Sequence, residues 1–182
     1  MGQPGVTVHD FQECLRKSEA QTDAPWWGQV YRSAFPGFAN MVCVRKDGWA
    51  QRGGIDRVVT LSSGKSLWVD EKIREKDWPD ILLEAWSDAG RRDLGWAAKP
   101  LACDFIAYAF VPSRTCHLLP VLPLQRAFKQ HGKHWHEVYG YVRAHNHCEG
   151  RTWTTLSVPV PIDELYLALT CALQVRWSVV AA

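Results

Sequence analysis

Residues 53–74 read Gly-Gly-Ile-Asp-Arg-Val-Val-Thr-Leu-Ser-Ser-Gly-Lys-Ser-Leu-Trp-Val-Asp-Glu-Lys-Ile-Arg. Two runs of β-branched and aromatic residues flank a Ser-Ser-Gly-Lys turn, the pattern of a β-hairpin. Side chains alternate along a strand, so Trp68, Asp70 and Lys72 share one face while Val69 and Glu71 take the other. With the turn centred on Ser63-Gly64, Asp56 falls opposite the stretch from Asp70 to Lys72. One end of the hairpin therefore gathers two carboxylates and a lysine. Two hard carboxylate oxygens suit a divalent cation such as Mg²⁺. Such an ion polarises a phosphodiester and acidifies a bound water. A lysine beside it orients that water or stabilises developing charge. The competing reading is a solvent-facing hairpin end whose charges only pair with one another.

This arrangement resembles the PD-(D/E)xK nuclease superfamily, the restriction-endonuclease-like fold. Its pattern is an Asp, a hairpin, then (Asp/Glu)-x-Lys at the end of the next strand. Asp56, Asp70 and Lys72 match those positions, and Ile55 stands where the family has Pro. The resemblance rests on about a fifth of the chain, or nearer a third with the first helix, and its motif is short and degenerate. The resemblance implies an α/β (α+β) fold with a central mixed β-sheet flanked by helices. It implies Mg²⁺ or Mn²⁺ held by Asp56, Asp70 and the backbone carbonyl of Glu71. Lys72 would serve the attacking water or the transition state. The family often adds an acid from an N-terminal helix. Residues 7–20 fit such a helix, with Thr7 as N-cap and Val8, Phe11 and Leu15 as its apolar stripe. At about 100° per residue, Glu19 falls near that stripe and Glu13 away from it. Glu19 is thus the candidate extra catalytic acid, against the plainer reading of a solvated charge.

The chain has 182 residues, expected to form one domain. Its net charge of only +2 rules out a polyelectrolyte binder, so a nucleic-acid surface must be local. No apolar run of membrane length and no signal peptide is seen, so no membrane partner and a cytoplasmic location are expected. The six cysteines are scattered without a Cys-x-x-Cys pair, which predicts buried thiols. The sequence leaves oligomeric state open, a homodimer included.

Further elements follow from pattern. A short helix is expected over 26–35, a strand over 41–45 and a turn at 46–48. Gln51 and Arg52, beside the paired glycines, are candidate substrate contacts. Asp77 and Pro79 open what reads as an amphipathic helix. Its apolar residues Trp78, Ile81, Leu82, Ala85 and Trp86 recur at i, i+3, i+4, i+7 and i+8. Residues 105–111 are an unbroken apolar strand, expected to be buried on both faces. A strand over 116–119, a helix over 122–131, a strand over 152–160 and a helix begun at Pro161 complete the pattern.

Residues 125–151 interleave cations with aromatics and histidines. Arg126, Lys129, Lys133 and Arg143 are candidate phosphate contacts, and the partner is nucleic acid, DNA before RNA. His131, His134, His136 and the run His145-Asn146-His147-Cys148 lack the paired spacing of a zinc module. A non-catalytic nucleic-acid-binding protein on the same fold is the alternative function.

Overall fold

The computed structural model describes residues 8–10, 21, 24–169 and 171–178. Its first strand, β1 (Val8–Asp10), pairs parallel with a later strand through Val8↔His145. Residues 8–10 of the helix expected over 7–20 are therefore strand. Long-range strand pairing overrides the local helical pattern here. The remainder of that segment, Glu13 and Glu19 included, lies outside the described residues.

The first helix, α1 (Trp26–Ala34), is where its apolar spacing puts it and buries Trp27, Val30, Tyr31 and Ala34. Next come β2 (Phe38–Cys43) and the short α2 (Gly48–Gly53). The expected turn is present, closed by the Asp47 N–H on the Val44 carbonyl at 2.9 Å, and α2 follows it directly. That helix is closed by Gly54 at φ 67°, a left-handed position that favours glycine. The hairpin forms as read: β3 (Arg57–Leu61) and β4 (Ser66–Arg74) pair antiparallel, with Val58 opposite Trp68 and Arg57 opposite Val69.

The clearest departure follows. Residues 80–88 form a strand, β5 (Asp80–Asp88), in place of the expected helix. Ile81, Leu83 and Ala85 are buried while Leu82 and Glu84 point the other way, the period of two that a strand requires. Trp78, assigned to the buried stripe of a helix, is 49% exposed. The apolar residues here are dense enough to satisfy both periods. The arbiter is a partner strand some 75 positions away in the chain.

Beyond β5 come β6 (Asp93–Leu94), β7 (Phe105–Phe110) and β8 (Thr115–Pro120). Then follow α3 (Val121–Tyr139), longer than expected, and β9 (Val142–Cys148). β10 (Arg151–Pro161), α4 (Ile162–Ala168) and β11 (Leu173–Arg176) complete the chain. The fold is thus mixed α and β, with four helices among the described residues.

Two sheets result. The larger is mixed and has the order β11-β8-β7-β4-β3-β2; the smaller runs β1-β9-β10-β5-β6. In the larger sheet β4 and β7 are parallel, and the chain between them passes through the smaller sheet. One face of the larger sheet packs on α1. There Val59, Val69, Ala107 and Ala109 meet Trp27, Val30 and Tyr31. The other face supplies Ile106, Tyr108 and Phe110 to a core shared with Ile81, Leu83, Val158 and Val160 of the smaller sheet and Leu124 and Trp135 of α3. β7 is buried on both faces, as its unbroken apolar run requires. Pro159 sits on β10 beyond the stretch that pairs with β9, where a missing N–H costs no ladder bond.

Cys103 and Cys116 are buried, as expected, but Cys43 and Cys171 are exposed. No helix among the described residues is long and apolar enough to cross a membrane.

Candidate active site

Alternation along β4 sorts its charged residues between the two faces of the sheet. Glu71 points toward α1. Its carboxylate accepts hydrogen bonds from Tyr31 Oη at 2.7 Å and from Arg57 Nε at 2.8 Å, with Arg57 Nη2 on its second oxygen at 3.1 Å. Both partners are buried. Burial alone would lower the Arg57 pKa, but the hydrogen bond and charge of Glu71 hold it above its ordinary value. Burial pushes the Glu71 carboxyl up, while Arg57 and the Tyr31 hydroxyl oppose that shift. This is a closed internal ion pair.

Asp70 and Lys72 point the other way, into a cleft of about 720 Å³ between the sheets. Lys72 Nζ stands 2.7 Å from Asp70 Oδ1. Asp70 is only 4% exposed, and burial pushes its pKa up to about 6. The neighbouring Asp56 adds to that rise and Lys72 opposes it. Burial would lower the Lys72 ammonium, but the charge and hydrogen bond of Asp70 raise it, with Asp56 and Glu84 adding to the effect.

Asp56 arrives from the residue before β3. Its backbone N–H donates to the Val69 carbonyl at 2.9 Å, which extends the hairpin by one rung. Its Oδ2 then accepts the Glu71 N–H at 2.8 Å. The expected meeting of Asp56 with the end of β4 is therefore present. In a strand the N–H and C=O of one residue leave by the same edge. The Glu71 carbonyl thus emerges beside Asp56, where β3 has ended. Arg45 Nη2 lies 3.1 Å from Asp56 Oδ2 and 3.8 Å from Glu71 Oε2.

The donor set fits a hard divalent cation. Two carboxylates and a backbone carbonyl come to one place, and one of the carboxyls is raised partly by the charge of the other. Among the described residues no three His, Cys, Asp or Glu side chains form a ready metal cage. Mg²⁺ does not need one, since it is commonly held by one or two carboxylates together with substrate phosphates.

The other proposed contacts divide between places. Gln51 lines the cleft from α2, and Arg52 is exposed on the same helix. Arg126, Lys129 and Lys133 recur along one face of α3 and line a separate groove of about 780 Å³, which shares no lining residue with the cleft. Gln125 Nε2 donates to the carbonyl of Lys99 at 2.6 Å, which ties that helix to the cleft rim. Arg143 is exposed on β9 and lines neither space. His131 packs on Trp135 and His136 stacks on Tyr141 with centroids 3.9 Å apart, so these imidazoles have aromatic partners.

Sequence reasoning missed several cleft residues: Lys99 lines it from the loop after β6, and Asn146 and Trp153 come from the smaller sheet. Glu84, which the expected helix would leave as a surface charge or at most a group supporting the site, lines the cleft from β5. Glu84 is locked by its neighbour Gly95. A Cβ on Gly95 would lie 2.3 Å from the Glu84 carbonyl oxygen, so only glycine fits. Reading residues 80–88 with a period of two would have placed Glu84 opposite the core. Nothing local marks Lys99 or Asn146.

Comparison of the chain with protein-family models, with curated proteins and with solved structures returned no match in any of the three.

Proposed function

We propose that the protein is a metal-dependent nuclease of the PD-(D/E)xK type that hydrolyses phosphodiester bonds, with DNA as substrate. The observation that carries this reading is the convergence of Asp56, Asp70 and Lys72 at one end of the hairpin, inside a cleft. A mixed sheet that carries Asp, hairpin and Asp-x-Lys in that order, with a helix on its flank, supports the restriction-endonuclease-like assignment. Ile55 in place of Pro, and β5 in place of a helix, are this chain's own variations.

Asp56, Asp70 and the Glu71 carbonyl would hold Mg²⁺ or Mn²⁺. The ion supplies charge that polarises a phosphodiester and acidifies water. Lys72 places an ammonium where negative charge grows on the phosphorus oxygens, and that charge stabilisation is its contribution to rate. Its contact with Asp70 fixes its position before substrate arrives, which reduces the ordering left for the reaction itself.

A second reading, a non-catalytic nucleic-acid-binding protein on this fold, rests on the ion pairs Arg45–Asp56 and Lys72–Asp70, which already balance both carboxylates. A cleavage panel separates the two. Duplex, single-stranded, branched and RNA substrates are incubated with Mg²⁺ or Mn²⁺ beside the Lys72→Ala variant. Metal-dependent product that falls sharply in the variant supports the nuclease. Binding without product in either metal supports the alternative.

A further inference from the structure

Two exposed tryptophans stand on the elements that supply the cleft with Asp70 and Gln51, outside its lining. Trp68 lies on β4 two residues before Asp70, on the same face and 38% exposed. Trp49 lies on α2 and is 51% exposed. Their rings meet edge to face, with centroids 6.1 Å apart and planes at 64°. Neither belongs to a core cluster of buried residues. Trp68 is also held from its backbone: its N–H donates to Asp104 Oδ2 at 2.8 Å, and its carbonyl accepts the Asp104 N–H at 2.7 Å. The indole thus stands on a fixed main chain. Arg52 follows Trp49 by three positions on α2, so it neighbours Trp49 on the helix surface.

We propose that Trp68 and Trp49 form a stacking platform for an unpaired base, so that the cleft takes single-stranded nucleic acid in preference to a duplex. The proposal rests on the nuclease reading of the same cleft. Four observations lead to it. A base in a duplex has its faces covered by its neighbours, and only an unstacked base offers a face to an indole. Two residues of strand separate Trp68 from Asp70, about 6.6 Å, which is of the order of one sugar–phosphate step. A base on Trp68 therefore sets a neighbouring phosphate over the carboxylates. The cleft, at about 720 Å³, has the size of a small-ligand pocket and is walled by Asn146, Trp153 and Thr155 of the smaller sheet. That size is on the scale of a single nucleotide unit.

The charge balance is the fourth. Arg45, Lys72, Arg74 and Lys99 face Asp56, Asp70 and Glu84 around the cleft, four cations against three carboxylates and so close to balance. Affinity must then come chiefly from stacking, with a shallow dependence on salt.

The test is binding of a fluorescent oligothymidylate and of a blunt hairpin duplex, by anisotropy. It is done in an Asp70→Asn background so that no turnover interferes. Replacing Trp68 by Ala is expected to weaken oligothymidylate binding by about tenfold, with Trp49→Ala somewhat less and Trp68→Phe close to the parent. Duplex binding should be weaker than single-strand binding from the start and unchanged by these substitutions. Equal affinity for duplex and single strand, or oligothymidylate binding unaffected by Trp68→Ala, overturns the proposal. A melting temperature for each variant within a degree or two of the parent shows that the fold is intact, and Trp49→Ala keeps the test decisive if Trp68→Ala is lost, since unchanged oligothymidylate binding in it also overturns the proposal. Because the assay needs no cleavage, a platform that fails and a nuclease that fails give different results.

Discussion

Asp70 and Glu71 are adjacent carboxylates on one strand, and the sheet gives them opposite surroundings. Glu71 is enclosed on the α1 face by Arg57 and Tyr31, two buried partners at hydrogen-bond distance. Asp70 is just as buried but faces a cleft, beside another carboxylate and a lysine that is about one-third exposed. The first arrangement satisfies a charge inside the protein. The second leaves a charge whose ionisation opposes the fold and which an incoming cation would relieve. Burial alone therefore does not tell a structural carboxylate from a chemical one; the direction in which the pleat aims it does.

Substitutions at the two positions should separate along those lines. The largest effect is on activity: Asp70→Asn should reduce metal-dependent cleavage by about 10³-fold or more, since the carboxylate proposed to hold the ion is gone. Glu71→Ala should act on stability. It removes the buried acceptor of both the Tyr31 hydroxyl and the Arg57 guanidinium, at a cost of about 3–5 kcal/mol, measurable by urea unfolding. Lys72→Ala comes next, with a loss of about 10²-fold in cleavage. It should also move the acid limb of the pH–rate profile upward, because Lys72 is what pulls the Asp70 pKa down. Gly95→Ala should cost about 1–3 kcal/mol, because its Cβ has no room against the Glu84 backbone.

The smallest effect is also the most specific. Asp70 has its pKa raised in the folded state to about 6, so the folded protein binds its proton more tightly than the unfolded chain does. Stability therefore falls as pH rises from about 4 through 6, and above 6 the penalty is complete. Asp70→Asn should melt higher than wild type at pH 8, and that gain should vanish below pH 4. For the reaction the sign is reversed. Asp70 must be ionised to attract a cation, so cleavage should climb through pH 6.

The hairpin and its sorting of Asp70, Lys72 and Glu71 were legible because a strand's period of two is set by the chain itself. The apolar run of β7 was legible for the same reason. β5 was not, since Ile81, Leu82, Leu83, Ala85 and Trp86 satisfy both helical and strand spacing, and the deciding partner is β10. The internal partners Tyr31 and Arg57 for Glu71 were equally hidden. They depend on how α1 lies across the sheet, which no local pattern records. Nor does any pattern show that the smaller sheet brings Asn146 and Trp153 across from Asp70.

The most direct measurement is a paired one: melting temperature and Mg²⁺-dependent cleavage of a single-stranded oligonucleotide, for Asp70→Asn and Glu71→Ala beside wild type. The account predicts cleavage by wild type, an Asp70→Asn protein that is inactive yet melts as high as wild type or higher at pH 8, and a Glu71→Ala protein, with Arg57 and Tyr31 left without their acceptor, that melts well below both. Wild-type cleavage rates in Asp70→Asn, or no cleavage by wild type in Mg²⁺ or Mn²⁺, would contradict it.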